Sequence, residues 1–334
     1  MNEKPKISVL VPVYNVDLYL KKFLNSLVNQ TLEAIEIIIV NDASPDSSDM
    51  IISEFLSDPR IKYINKEVNE GLGRARQSAY LVATGEYIIN LDPDDYIDSD
   101  FLEVLYSFGQ TNSLDIVLGN VQIVDEEDNP IGSSALSTLK IPNVLLNDSE
   151  YKILLRTPYA TWFKLLKKDI LDKYEYSYPL GELAVFIMQF YDEIRVGINP
   201  KVHYYYRKHS NSMSNYNKSA KRINESEGYN WDGIQSKIKN LKKLPIKSGL
   251  RRQILNIYLF RVFYSLTMIS WLHSLPDKSN RKKIAKEFKN ELGFNFTSFL
   301  KYVWYFKPKE KIFLFLCLIG FDNVVLTFLK KKKK

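Results

Sequence analysis

Between residues 6 and 125 the apolar positions fall into two alternating rhythms. Ile7–Val13, Ile35–Val40, Ile61–Ile64, Tyr87–Leu91 and Asp115–Val124 are short, nearly unbroken apolar runs of strand length. Between them apolar residues recur at helical spacing: Leu18, Leu20, Phe23, Leu24, Leu27 and Val28, then Met50, Ile51, Ile52, Phe55 and Leu56. A glycine-led helix is predicted over Gly71–Ala83 and another over Phe101–Phe108. The alternation predicts parallel β–α units, and strands apolar on both faces predict a sheet covered on both sides. Residues 126–150 are polar and turn-rich and read as a loop. Ala160–Leu171 mixes aromatics with lysines, Leu180–Tyr191 has helical periodicity, and Ile194–Tyr206 reads as strands around Asn199–Pro200. Residues 215–250 are lysine-rich and poor in strand formers, which places a boundary there: a domain over 1–215 and a helical region over 216–334.

In open sheets of this kind ligands bind beyond the carboxyl ends of the strands. Asn15, Asp42 and Asp92–Asp95 all fall at those ends. The run Ile88-Ile89-Asn90-Leu91-Asp92-Pro93-Asp94-Asp95 sets three carboxylates close together. Their mutual repulsion favours a divalent cation with oxygen ligands. The alternative is a solvated acidic turn, with Asp98 or Ser99 capping the next helix.

Charge is unevenly spread. Residues 201–334 carry 29 Lys/Arg and 8 Asp/Glu, whereas residues 1–200 carry the other 17 and 31. The acidic half would repel nucleic acid; the basic half suits an anionic surface. A single cysteine, Cys317, excludes a disulfide framework and a cysteine-based zinc cluster. Met1–Lys6 is polar and carries no signal-peptide pattern, so a cytoplasmic location is expected.

The ordered motifs Ser8-Val9-Leu10-Val11-Pro12-Val13-Tyr14-Asn15, Ile38-Ile39-Val40-Asn41-Asp42-Ala43-Ser44, Asn69-Glu70-Gly71-Leu72-Gly73-Arg74-Ala75-Arg76, Ala83-Thr84-Gly85-Glu86-Tyr87 running into Leu91–Asp95, and Tyr204-Tyr205-Tyr206-Arg207 with Ser212-Met213-Ser214 resemble the family 2 glycosyltransferases of the GT-A fold. The resemblance covers about residues 6–214. It implies the mostly parallel, Rossmann-like sheet of the nucleotide-diphospho-sugar transferases, here with a helical, basic C-terminal extension. It also implies inverting transfer of a sugar from a UDP-sugar. Asp42 would then meet the uracil, with Pro12, Tyr14 and Asn15 lining its pocket. Asp92 would face the ribose, and Asp94, with His209, would hold Mn²⁺ or Mg²⁺. Arg74, Arg76, Arg207, Ser212 and Ser214 would serve the donor's phosphates. Each has a plainer reading: an Asx turn for Asp42, solvated arginines for Arg74 and Arg76, and a surface histidine for His209. Asp95 reads as an orienting or capping residue and His203 as structural.

The resemblance breaks on the acceptor side. The family carries Gly-Glu-Asp where this chain has Gly181-Glu182-Leu183, and the missing aspartate is its general base. Losing a positioned base typically costs about 10²–10⁴ in rate. Glu182 is one replacement, and Asp192 or Glu193 another; failing both, the protein is a weak or dead transferase that binds donor or partner. The family's Trp-Asn-Lys is altered to Trp162-Phe163-Lys164, two of which, Trp162 and Lys164, are expected beside the acceptor.

Towards the C-terminus, Ile254–Leu272 and Ile312–Leu329 are apolar, Phe299–Phe306 is aromatic, and Lys330–Lys334 ends the chain. Asp322 and Asn323 argue against a membrane span, since a central aspartate costs about 2.5–3.5 kcal/mol on insertion. Helices in the interface, with lysines on anionic lipid, are expected instead, and dimerisation through these helices is the alternative. The expected location is the inner face of the cell membrane, held peripherally. The expected acceptor is a lipid-linked or surface glycan. No RNA-recognition motif or zinc-finger spacing supports nucleic-acid binding.

Overall fold

The computed structural model describes residues 4–133, 160–174, 188–210 and 245–255, with 144, 145, 147, 150, 151, 154 and 300 besides. The chain divides into two compact units. One comprises Met1–Glu150, Thr157–Gln189 and Glu193–His209, the other Tyr151–Arg156, Phe190–Asp192 and Ser210–Lys334.

The first unit is built on a nine-stranded sheet. Its elements in chain order are β1 (Ile7–Val13), α1 (Asp17–Val28), β2 (Ile35–Asn41), α2 (Ser48–Ser53), β3 (Ile61–Asn65), α3 (Leu72–Val82), β4 (Tyr87–Asn90), β5 (Tyr96–Ile97), α4 (Phe101–Thr111), β6 (Ile116–Val124), β7 (Pro130–Ser133), β8 (Lys164–Lys167), α5 (Lys168–Lys173) and β9 (Val196–Arg207). The spatial order is β3-β2-β1-β4-β8-β6-β9-β5, with β7 paired to β6. β3, β2, β1 and β4 run parallel, as the alternation predicted. Every residue of β1 and β2 is buried, so these strands can be apolar throughout. α3 lies against both strands, and α1 buries Leu20, Phe23, Leu24 and Leu27, the i, i+3, i+4, i+7 stripe of a core-facing helix.

The sheet is mostly parallel, as expected, and its antiparallel pairings lie in the second half. β8 lies antiparallel between β4 and β6, β5 pairs antiparallel with β9, and β7 forms a hairpin with β6 inside the stretch that reads as a loop. β8 is only Lys-Leu-Leu-Lys, too short and too charged at its ends to show a strand pattern. Asn199–Pro200 does not divide two strands. β9 runs through it beside β6, with a register shift at Leu118/Asn120.

One buried carboxylate ties the parallel half together. Glu36, 3% exposed on β2, accepts from Ser8 Oγ at 2.5 Å, from the Thr84 N–H at 2.6 Å and hydroxyl at 3.0 Å, and from the Gly85 N–H at 3.1 Å. Its other oxygen is 2.5 Å from Lys62 Nζ on β3. Gly85 must be glycine here, because a Cβ would lie 2.6 Å from the Ser8 backbone nitrogen. The glutamate sits in a strand pattern that predicts only apolar contacts.

Within the second unit, Asp192 accepts from the Lys247 N–H at 2.5 Å and donates its own N–H to Pro245 O at 3.3 Å. Arg251 lies over the Tyr151 ring, Cζ 3.9 Å from its centroid. Among the described residues no helix is long and apolar enough to cross a membrane. The apolar runs Ile312–Leu329 and most of Ile254–Leu272 lie outside the described residues, as does the lysine tail.

Candidate active site

The acidic run leaves β4 at the carboxyl edge of the sheet. Leu91 extends the strand by donating to Leu10 O at 3.1 Å, and Asp95 closes a turn by donating to Asp92 O at 3.2 Å. Each carboxylate then meets a different partner. Asp92 receives Arg76 Nη2 at 2.7 Å. Asp94 Oδ2 lies 3.0 Å from His209 Nε2. Asp95, 1% exposed, accepts from the Tyr204 hydroxyl at 2.5 Å and the Arg207 N–H at 2.8 Å. Burial first, then the charges of Asp94 and Asp92, push the Asp95 carboxyl well above the usual range. Asp95 therefore fastens the acidic turn to β9. The predicted caps of α4 are replaced: the N-cap is Asp100, without a side-chain bond, while Asp98 accepts from the His203 N–H at 2.8 Å and the Tyr205 hydroxyl at 2.9 Å.

At the ends of β1 and β2, Pro12 is buried in its strand, Tyr14 is 41% exposed and Asn15 is exposed with φ 54°. The Asn15 N–H donates to Ser44 Oγ at 2.7 Å, and Ser44 Oγ donates to Asp46 Oδ1 at 2.6 Å. Asp46 also accepts from the N–H groups of Asp17 (2.9 Å) and Ser48 (3.1 Å), the first residues of α1 and α2. Burial alone would raise the Asp46 carboxyl, but the bonds from Ser44, Ser48 and Asp17 outweigh it and hold it below the usual range. Asp46→Ala removes a cap shared by two helices, and a stability loss of about 1–2 kcal/mol is expected in urea unfolding.

Asp42, 2% exposed, accepts from the Gly71 N–H at 2.7 Å and the Glu70 N–H at 3.2 Å, with Lys66 Nζ 3.4 Å away. Gly71 starts α3 at φ 89°, a backbone that L side chains rarely adopt. The Asx turn before Pro45 is made by Asn41, whose Oδ1 accepts from the Ser44 N–H at 3.0 Å, and not by Asp42.

The arginines separate. Arg74 is exposed, as a solvated arginine would be, whereas Arg76 is buried beside Asp92. Arg207 is 3% exposed and binds Asp128 Oδ1 at 2.7 Å, its Cζ 4.8 Å from the Tyr19 ring centroid and 5.5 Å from that of Tyr96. Trp162 is nearly buried, stacked on Tyr204 (centroids 4.4 Å, planes 26°) and Tyr206 (5.3 Å, 4°). Lys164 is fully buried on β8. Glu193 pairs with Lys173 at 2.7 Å and Asp192 accepts from the Lys247 N–H at 2.5 Å, so each carboxylate has a partner of its own. Glu182, Leu183, Ser212 and Ser214 lie outside the described residues. Tyr19, Asp46 and Asp128 lie in none of the sequence motifs, and Tyr204 lies in one without an assigned role. Only the alternation of β9, which puts Tyr204 and Tyr206 on one face, hints at the Trp162 stack.

Among the described residues no three His, Cys, Asp or Glu side chains gather to form a protein-only metal site. Asp94 and His209 nevertheless fit a shared cation. Their facing atoms are 3.0 Å apart, about the separation of neighbouring ligands each roughly 2.1 Å from a metal. A carboxylate with an imidazole also suits Mn²⁺. The remaining coordination would fall to substrate and water.

A mixed, mostly parallel sheet with an acidic turn and a histidine at its carboxyl edge is a GT-A-like fold. The sequence pattern of glycosyl transferase family 2 matches residues 8–174, half of the chain, and the chain belongs to that family. It is 35% identical over 187 residues to Glycosyltransferase GlyA of Streptococcus pneumoniae, an alignment covering 54% of this chain and 26% of GlyA. It is 30% identical over 296 residues to Cholesterol galactosyltransferase of Borreliella burgdorferi, covering 82% of this chain and 79% of that one. The crystal structure of S. aureus TarS 1-349 in complex with UDP-GlcNAc superposes with a TM-score of 0.65 at 18% identity, covering 86% of this chain and 81% of that one, a likeness of fold. The chain spans less than two thirds of the length of GlyA and of several other curated relatives that it matches.

Proposed function

We propose that this protein is a metal-dependent, inverting glycosyltransferase that moves a sugar from a UDP-sugar to a lipid-linked or surface-glycan acceptor. The observation that carries the reading is the meeting of Asp94 with His209 beside an Asp92 held by Arg76, all at the carboxyl edge of the sheet. An ionised carboxylate has about four acceptor positions, so Asp42 can serve the Glu70–Gly71 backbone and still accept from a uracil N–H. Tyr14 supplies an exposed ring and Pro12 a buried wall beside it. Arg76 acts through Asp92, fixing its carboxylate towards the ribose. Arg74, Ser212 and Ser214 are assigned to the diphosphate, and Arg207 reaches the site through its backbone bond to Asp95. Mn²⁺ or Mg²⁺ held by Asp94 and His209 would offset the charge of the departing diphosphate. Glu182 is assigned as the base that takes the acceptor's proton, with Trp162 and Lys164 shaping the acceptor side. The test is UDP release from UDP-sugars with Mn²⁺ and a lipid-linked or surface-glycan acceptor; no release from any donor counts against the enzyme.

Leu183 favours a second reading, in which the chain binds the donor or a sister transferase without turnover. Under the first reading Glu182→Gln lowers UDP release by about 10²–10⁴. Under the second, calorimetry shows UDP binding, no donor turns over, and Leu183→Asp creates activity.

The basic region 216–334 is proposed to lie on anionic lipid at the inner membrane face, consistent with an acceptor carried on a lipid. Salt-sensitive binding to phosphatidylglycerol vesicles but not to RNA is expected. Dimerisation through the same region would show instead as a doubled mass in solution.

A further inference from the structure

Metal-binding histidines ordinarily donate from the second ring nitrogen to a carboxylate or carbonyl, which fixes both tautomer and ring angle. His209 lacks that device. Its side chain is 5% exposed, and Nδ1 is buried with no hydrogen-bond partner among the described residues. The ring lies instead against Tyr19 on α1, centroids 4.7 Å apart and planes at 48°. Tyr19 is in turn covered by the Arg207 guanidinium at 4.8 Å, and Arg207 is anchored on Asp128 at 2.7 Å. Asp128 also receives Lys22 at 2.5 Å, one helical turn beyond Tyr19. The turn that presents Asp128 is itself fixed, because Asp125 Oδ1 accepts from the N–H groups of Glu127 at 3.1 Å and Asn129 at 2.8 Å. A continuous line of contacts therefore runs from the β6–β7 turn through Arg207 and Tyr19 to the imidazole that faces Asp94.

We propose that Tyr19 is a positioning residue for His209: its ring, held by Arg207, takes the place of the missing hydrogen bond at Nδ1 and keeps Nε2 towards Asp94. The functional consequence rests on the reading of Asp94 and His209 as cation ligands; the packing does not. An ionised Asp94 can only accept, so in the metal-free protein Nε2 carries the proton and Nδ1 the lone pair. An aromatic pair of this kind favours one ring orientation by about two- to tenfold, and the covering guanidinium adds to it. The hydroxyl of Tyr19 has no part in this, so phenylalanine replaces tyrosine and an aliphatic residue does not.

The experiment uses the full chain labelled with ¹⁵N at its three histidines, His209 being assigned by loss of its signals in His209→Gln. Without metal at pH 8, wild type and Tyr19→Phe are expected to show the Nε2–H tautomer of His209, and Tyr19→Leu a mixture of tautomers. In a spin-resonance titration of Mn²⁺ with UDP present, half-saturation rises about tenfold in Tyr19→Leu and stays at the wild-type value in Tyr19→Phe. A wild-type tautomer in Tyr19→Leu overturns the proposal, and so does a shift of equal size in Tyr19→Phe. If Mn²⁺ fails to bind the wild-type protein, the cation reading falls while the metal-free tautomers still decide the role of Tyr19. Should Tyr19→Leu not fold, Tyr19→Met, which fills similar space without an aromatic face, carries the same outcomes.

Discussion

Asp94→Ala is expected to lower UDP release by about 10²–10³-fold in kcat while leaving the protein folded. Asp94 meets His209 among the described residues, and its side chain is 22% exposed, so its removal opens no cavity in the core. Asp94→Asn keeps the shape and hydrogen-bonding capacity but loses the charge, and it is expected to fall with the alanine variant. Asp95→Asn is the informative contrast. That carboxyl is buried against Tyr204 and the Arg207 backbone, so its loss should appear first as a lowered unfolding midpoint. Donor turnover over a Mn²⁺ series, with thermal unfolding of each variant, separates the two. Wild-type turnover in Asp94→Ala would remove the acidic turn from the chemistry altogether.

Glu36→Ala is expected to cost about 3–5 kcal/mol, a large part of the roughly 5–15 kcal/mol that holds an ordinary domain. The loss comes from leaving the buried Ser8 hydroxyl and the part-buried Thr84 N–H without their acceptor, while the Gly85 N–H keeps Ser8 Oγ at 2.8 Å. Lys62 is 47% exposed and its ion pair contributes little of this. Burial would raise the Glu36 carboxyl, but bonds from Lys62, Ser8 and Thr84 together outweigh it and hold it below 4.5. The sign follows from linkage. The folded carboxylate binds its proton less readily than the unfolded one, so its contribution is full above about pH 4.5 and is lost as pH falls through the lower, folded value. Urea unfolding from pH 7 down to pH 3 should show wild type and Glu36→Gln converging at the acid end. Parallel curves that never converge would show that the carboxylate's ionisation is not what stabilises the strands. Gly85→Ala attacks the same junction from the other side, since the added methyl meets the Ser8 backbone.

The parallel half of the sheet was legible because its signals are local. An apolar run of strand length, followed by a helical stripe, states its own element within about a dozen residues, and the structure departs from the predicted ends by only a residue or so at β2, β3 and β4. The acidic turn could be placed at the carboxyl edge because it follows such a run directly. β8 could not be found, since four residues flanked by lysines state nothing until β4 and β6 lie on either side. The roles of Glu36 and Asp98 are hidden in the sequence for a similar reason. Each looks like a strand interruption or a helix cap until its partners arrive from 48 and 105 residues away.

Sequence alone determined the layered α/β class and the sheet edge at which the three carboxylates fall, because periodicity and strand ends depend on neighbours in the chain. Tertiary structure decided how those carboxylates divide their roles. Asp92 goes to Arg76, Asp94 to a histidine 115 residues away, and Asp95 to the interior, where it fastens the turn. Three aspartates in one short turn are chemically alike until folding sets their surroundings; burial and the partner within about 3 Å then make one structural and leave the other two at the sheet edge.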